Sequence, residues 1–157
     1  ITNRSTGKMG YAIARAAAEG RSVFFYGAGP GVAEAAAANA RKAQPALKVA
    51  GVCDGFVADD EAVRRVNAAR PDILLVARGV PLQEKWIAAH LAELDCACAI
   101  AVGGLFDFVS GRIPRAPAWM RRLGVEWTWR LLQEPRRMFR RYVFGNPLFI
   151  WRVMRHG

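Results

Sequence analysis

Four short apolar runs punctuate the first 102 residues, and each ends in a glycine or polar turn. They are Ser22–Gly27 (SVFFYG), 47–52 (LKVAGV), 72–76 (DILLV) and 96–102 (CACAIAV). None shows the strict apolar–polar alternation of a half-exposed strand. They read as strands buried on both faces. Helical spacing separates them: an Ala-rich stretch reaching about Ala43, then Asp59–Ala69, then Leu82–His90. A further Ala-rich helix, about 9–18, precedes the first run, and Ser5 or Thr6 can cap it by accepting from a first-turn N–H. The acids at the start of Asp59–Ala69 sit where the helix dipole favours them. Strands alternating with helices predict an α/β fold: a parallel sheet with helices on both faces and right-handed connections.

The pattern changes after Gly111. Pro114 and Pro117 interrupt the chain, and short helices are expected over 119–123 and 126–132. Pro135 suits the first turn of another helix. At 100° per residue, Arg136, Arg137, Arg140 and Arg141 share an arc of about 140°, with Met138, Phe139, Tyr142 and Val143 opposite. Gly145-Asn146-Pro147 ends that segment, and 148–154 (LFIWRVM) is a last apolar piece. The chain therefore divides into a core, 1–111, and an appendage, 112–157.

Charge sharpens the division. The appendage holds eleven Arg, no Lys and two acids, a net charge of +9, and four of the five Trp. The other 111 residues carry only +1. An excess of Arg over Lys favours planar, bidentate contacts to phosphate or carboxylate. The partner is thus anionic: nucleic acid, anionic lipid or a phosphorylated ligand. Three Cys (Cys53, Cys96, Cys98) make no disulfide framework and read as buried reduced thiols, as in the cytosol. No apolar run reaches the roughly 18 residues of a membrane span.

Candidate chemistry gathers at the ends of the predicted strands. GAGPG (27–31) follows the first strand but lacks the third glycine of a dinucleotide fingerprint, since Val32 stands there. It is either a ligand contact or a structural turn. Gln83 opens a helix after the third strand, at the edge where open α/β sheets bind ligands, and its amide can donate to a sugar hydroxyl or phosphate oxygen. Glu84 beside it can serve as a cap. Gly103 and Gly104 let a phosphate approach backbone N–H groups, and Asp107, between two Phe, needs a partner: a ribose diol or an arginine of the appendage. His90 is placed on a helix surface. There is no Ser–His–Asp pattern, no metal-binding DxD element and no zinc spacing.

Together NRSTG, FFYGAGPGVAE, PDILLVARGVPLQEKW, VGGLFDFVSGRIPRAPAWMRRLGVEW and WRLLQEPRRMFRRY resemble the WecG/TagA/CpsF glycosyltransferases, in order, over nearly the whole chain. The resemblance implies a Rossmann-like enzyme that transfers a sugar from a UDP-sugar to a polyprenyl-diphosphate-linked acceptor, usually with inversion. It would work peripherally at the cytoplasmic face of the plasma membrane, in cell-surface polysaccharide synthesis. N-acetylmannosamine, its uronic acid and glucose all occur as donors' sugars. Arg4 and Thr6 match a pocket-lining element, and Gln83 matches the pocket glutamine. Gly103, Gly104 and Asp107 match the UDP-binding edge. Arg130, Arg137 and Arg140 match arginines thought to close over the diphosphates and meet the membrane. The resemblance calls for no cofactor and no metal.

Two departures qualify it. The family's proposed base is an Asp upstream of the element containing Arg4 and Thr6, so the chain is expected to lack that Asp and the first strands, and to bind nucleotide without turnover. Arg78 stands where the family usually has an apolar residue. Two other readings rest on the residues alone. One is a nucleic-acid module built on the basic tail, against which the segregation of aromatics from arginines argues. The other is an amphipathic contact of 135–157 with an anionic membrane, compatible with the transferase reading. A homo-oligomer is left open.

Overall fold

The computed structural model describes the backbone of residues 4–112 and of Trp129 and Leu132, with side chains from residue 10 onward. The chain divides into two compact units, one of which is Ser5–Pro114. The elements among the described residues are α1 (Arg4–Ala18), β1 (Ser22–Gly27), α2 (Val32–Ala43), β2 (Lys48–Cys53), α3 (Asp59–Ala69), β3 (Ile73–Ala77), α4 (Leu82–His90), β4 (Cys98–Ala101) and α5 (Leu105–Val109).

All four strands are parallel, in the order β2-β1-β3-β4. The strand period of two sorts the side chains between two cores. Val23, Phe25, Leu75 and Ala77 face α1, α2 and α5, where Phe25 meets the Phe106 ring at 5.3 Å. Phe24, Tyr26, Leu74 and Val76 face α3 and α4. Alanine lets α2 lie close to the sheet: Ala33, Ala36, Ala37 and Ala40 are all buried. One irregularity has a clear cause. The β1–β2 register shifts between Val23 and Phe24, so Phe24 pairs with Gly51, where an added Cβ would stand 2.5 Å from the Phe24 ring.

Several expectations are corrected. α1 begins at Arg4, so Ser5 and Thr6 lie inside its first turn and cannot cap it from outside. The fully buried character predicted for every strand holds for β1 and β3 apart from the first residue of each, but β2 and β4 are the outer strands of the sheet among the described residues and are partly exposed. Pairing of β4 starts only at Cys98, whose N–H donates to the Asp72 carbonyl at 3.1 Å. Consequently Cys98 is exposed and Cys96 half-buried, and only Cys53 is a buried thiol. The helices expected within 113–157 lie outside the described residues, except that Trp129 and Leu132 are helical.

Candidate functional site

β2 and β3 flank β1 on opposite sides, so the chain reverses its winding direction at β1. The crevice at the carboxyl ends of β1 and β3 is the switch point at which open α/β sheets take ligands. β1 ends at Gly27, with φ +120°, so close to β3 that a Cβ there would stand 2.6 Å from the Ala77 carbonyl group. Ala28 follows in a left-handed conformation, φ 60°, unusual for a residue with a Cβ. It is pinned from both sides: its N–H donates to the Ala77 carbonyl at 2.7 Å, and its carbonyl accepts from Gly55 N–H at 3.0 Å. The GAGPG turn thus has a structural reason for its first glycine. An open hollow of about 540 Å³ lies beside it, lined by Pro30, Gly31, Val32, Ala35, Ser110 and Arg112 among others. α2 starts there without a side-chain cap. The Arg112 guanidinium stands 3.2 Å from where a Gly29 Cβ would be.

Gln83 is the one buried polar residue among those described, 3% exposed. Its Oε1 accepts from Gly103 N–H at 2.8 Å, and its Nε2 donates to Glu84 Oε1 at 2.8 Å. The amide expected to reach a ligand therefore ties the start of α4 to the turn after β4. The Gly103 N–H expected to face a phosphate is already engaged. Glu84 holds the amide of Gln83 and makes no cap, and α4, with Pro81 at its N-cap position, has no side-chain cap. Gly103 is left-handed, φ +57°, and the Asp107 Oδ2 lies 3.7 Å from where a Gly104 Cβ would stand. Gln83, Gly103, Gly104 and Asp107 thus form one continuous patch at the carboxyl edge.

A second cluster crosses the same edge. Arg78, after β3, reaches over β1 to Asp59 at the start of α3, Nη1 to Oδ1 2.5 Å. Its guanidinium lies 5.7 Å from the centre of the Tyr26 ring. Tyr26 is fully buried against Trp86, at 4.6 Å, and Trp86 packs on His90 at 5.1 Å. His90 is therefore half-buried in an aromatic stack, not on a free helix surface. Tyr26 Oη, Trp86 Nε1 and His90 Nδ1 are buried without hydrogen-bond partners. Burial pushes the Tyr26 hydroxyl up to about 12, only partly opposed by Arg78, so it stays neutral. Burial likewise raises the Cys53 thiol. Sequence reading missed this bridge: a lone Arg after an apolar strand and an acid opening a distant helix pair only once β2 and β3 are known to flank β1.

Arg4 and Thr6 occupy the first turn of α1; their side chains lie outside the described ones. Only Glu19–Arg21 separate α1 from β1, so α1 runs back along the sheet. Its rise of about 1.5 Å per residue carries the turn with Thr6 toward the carboxyl edge. Arg130, Arg137 and Arg140 lie outside the described residues. Among the described residues no group of three or more His, Cys, Asp or Glu comes together. No described helix is long and apolar enough to cross a membrane.

Residues 7–157 match the model of the glycosyl transferase WecG/TagA/CpsF family. An N-acetylglucosaminyldiphosphoundecaprenol N-acetyl-beta-D-mannosaminyltransferase of Bacillus subtilis is 39% identical over 116 residues, 73% of this chain and 45% of that protein. Proteins of the same name from Bacillus spizizenii and Staphylococcus aureus are 35% and 31% identical, over 87% and 85% of this chain and 52% of each relative. The chain thus spans about half the length of the curated relatives it matches. It belongs to the WecG/TagA/CpsF family of glycosyl transferases.

Proposed function

We propose that this chain carries the donor site of a glycosyltransferase. The enzyme moves a hexose-type sugar from a UDP-sugar to a polyprenyl-diphosphate-linked acceptor, with inversion, in cell-surface polysaccharide synthesis. N-acetylmannosamine is favoured over its uronic acid or glucose because the relatives are named for it. The observation that carries the reading is the carboxyl edge of the sheet, where the Gln83-fixed Gly103-Gly104 turn, Asp107 and the hollow at α2 adjoin the switch point.

Roles follow from the chemistry. Asp107 accepts from the ribose diol. The uncapped start of α2 and Arg112 face the diphosphate, whose charge grows as the bond from the sugar C1 to UDP breaks. The acceptor hydroxyl attacks C1 from the opposite side and gives its proton to a carboxylate, and UDP departs. Gln83 holds the turn that orients the nucleotide, and Arg4 and Thr6 line the pocket. Arg130, Arg137 and Arg140 of the appendage, 112–157, close over the diphosphates. Residues 135–157 meet the anionic inner face of the plasma membrane.

Calorimetric titration with UDP tests this. The chain is expected to bind UDP, and Asp107→Ala to weaken binding about tenfold or more, the loss of hydrogen bonds to a charged acceptor. No binding of UDP removes the donor assignment, and unchanged affinity in the variant removes Asp107 from the site.

A further inference from the structure

Three of the six exposed large apolar side chains among the described residues stand at the carboxyl edge: Phe56, 79% exposed, and Val80 and Leu82, each 59%. Isolated exposed apolar residues are ordinary. These share two loops that the Arg78–Asp59 pair joins across β1. β2 and β3 are each one strand spacing from β1, so the loops lie about 10 Å apart. Both are fixed by hydrogen bonds. Asp54 Oδ1 accepts from Phe56 N–H at 2.8 Å, and Gly55 N–H is held by Ala28. In the other loop Gln83 N–H donates to the Gly79 carbonyl at 3.0 Å and Lys85 N–H to the Pro81 carbonyl at 3.1 Å. Phe56 is held by its own backbone hydrogen bond, and Val80 and Leu82 sit within the turn that the Gly79 and Pro81 carbonyls close.

We propose that Phe56, Val80 and Leu82 form an apolar rim that enters the interfacial layer of a lipid bilayer and faces the carboxyl edge toward the membrane. The inference rests on the donor-site reading above. An acceptor hydroxyl joined through a sugar and a diphosphate to a polyprenyl chain stays within a short, fixed reach of the bilayer. The edge that carries the donor must come within that reach, and apolar side chains there would be buried by the approach. Charge separates this contact from one made by the arginines. Asp54, Asp60 and Glu84 outnumber Lys85 on the same loops and helix starts, and Arg78 is paired, so the rim has no net positive charge to draw anionic lipid. Its contribution is apolar and resists salt, whereas attraction between arginines and anionic lipid is screened.

Flotation of the full chain with phosphatidylcholine vesicles, and with vesicles that also contain phosphatidylglycerol, at low and high salt, tests the rim. The parent protein is expected to keep a salt-resistant bound fraction on phosphatidylcholine alone. The triple variant Phe56→Ser, Val80→Ser, Leu82→Ser loses about tenfold of that partitioning. It keeps the salt-sensitive fraction on anionic vesicles and the parent's cooperative melting. Phe56→Trp keeps the salt-resistant fraction. If the triple variant does not melt cooperatively, the three single Ser variants carry the comparison. The proposal is overturned if the parent has no salt-resistant fraction, or if folded Ser variants partition like the parent. A variant that turns a dimer into monomers with unchanged vesicle binding would assign the rim to a second copy. UDP titration of the same samples reads the donor site separately, so its failure leaves the vesicle result intact.

Discussion

Gln83 shows how a single residue's role depends on its partners. Its amide spans two elements 20 positions apart in sequence, and burial makes both of its hydrogen bonds count. Gln83→Leu removes the acceptor of the Gly103 N–H and is expected to cost about 1–2 kcal/mol, read as a lower urea midpoint. It should also weaken UDP binding, because the turn it holds leads into α5, which carries Asp107. A midpoint equal to the parent's would show that the amide does not fix the turn. At the opposite edge, Asp72 accepts from the Ser22 backbone N–H at 2.8 Å, the Ser22 hydroxyl at 2.9 Å and Arg21 at 3.0 Å. These bonds, the Ser22 N–H foremost, hold its carboxyl down to about 2, from an ordinary value of 3.8. A depressed carboxylate stabilises the fold above its unfolded pKa, and that contribution disappears as pH falls through the folded one. Asp72→Asn is therefore expected to melt below the parent at neutral pH, with the gap closing between about pH 4 and pH 2. A gap independent of pH would contradict the assignment.

At the scale of elements, the pattern of apolar runs was enough to find the four strands and the helices α1 to α4, and to make the sheet parallel, whereas the short α5 (Leu105–Val109) was not foreseen. Strand order was not legible. The four runs look alike, and nothing in them says that β2 and β3 lie on either side of β1, which is what creates the switch point. The same lack hid the partial exposure of β2 and β4, the true start of β4 at Cys98, and the Arg78–Asp59 pair. Glycine spacing made GAGPG look like a failed fingerprint. Its first glycine is there because β1 and β3 converge. Gly27→Ala would bring a Cβ against the Ala77 backbone in an unfavourable conformation. A loss of about 3 kcal/mol or more is expected, seen as a large fall in melting temperature. A variant that melts with the parent would mean that the two strand ends are not in this contact.

At the scale of the whole molecule, the chain pairs a nearly neutral sheet with a strongly cationic appendage. Three of the motifs that mark its family, in GAGPG, PLQEKW and GGLFDF, sit at strand ends, where side chains serve ligands as well as packing. The roles of individual residues were less legible than the motifs. Gln83 and the Gly103 N–H each looked free to meet a ligand, and the fold has them bonded to each other. The proposed placement of a donor nucleotide at the carboxyl edge of the sheet is tested directly by backbone amide shifts during a UDP titration, followed by two-dimensional NMR of the labelled chain. The amides of Ala28, Gly29, Gly104 and Asp107 are expected to move with saturation while those of Ser22 and Asp72 stay fixed. Shifts confined to the Ser22–Asp72 edge, or no shifts on addition of UDP, would contradict it.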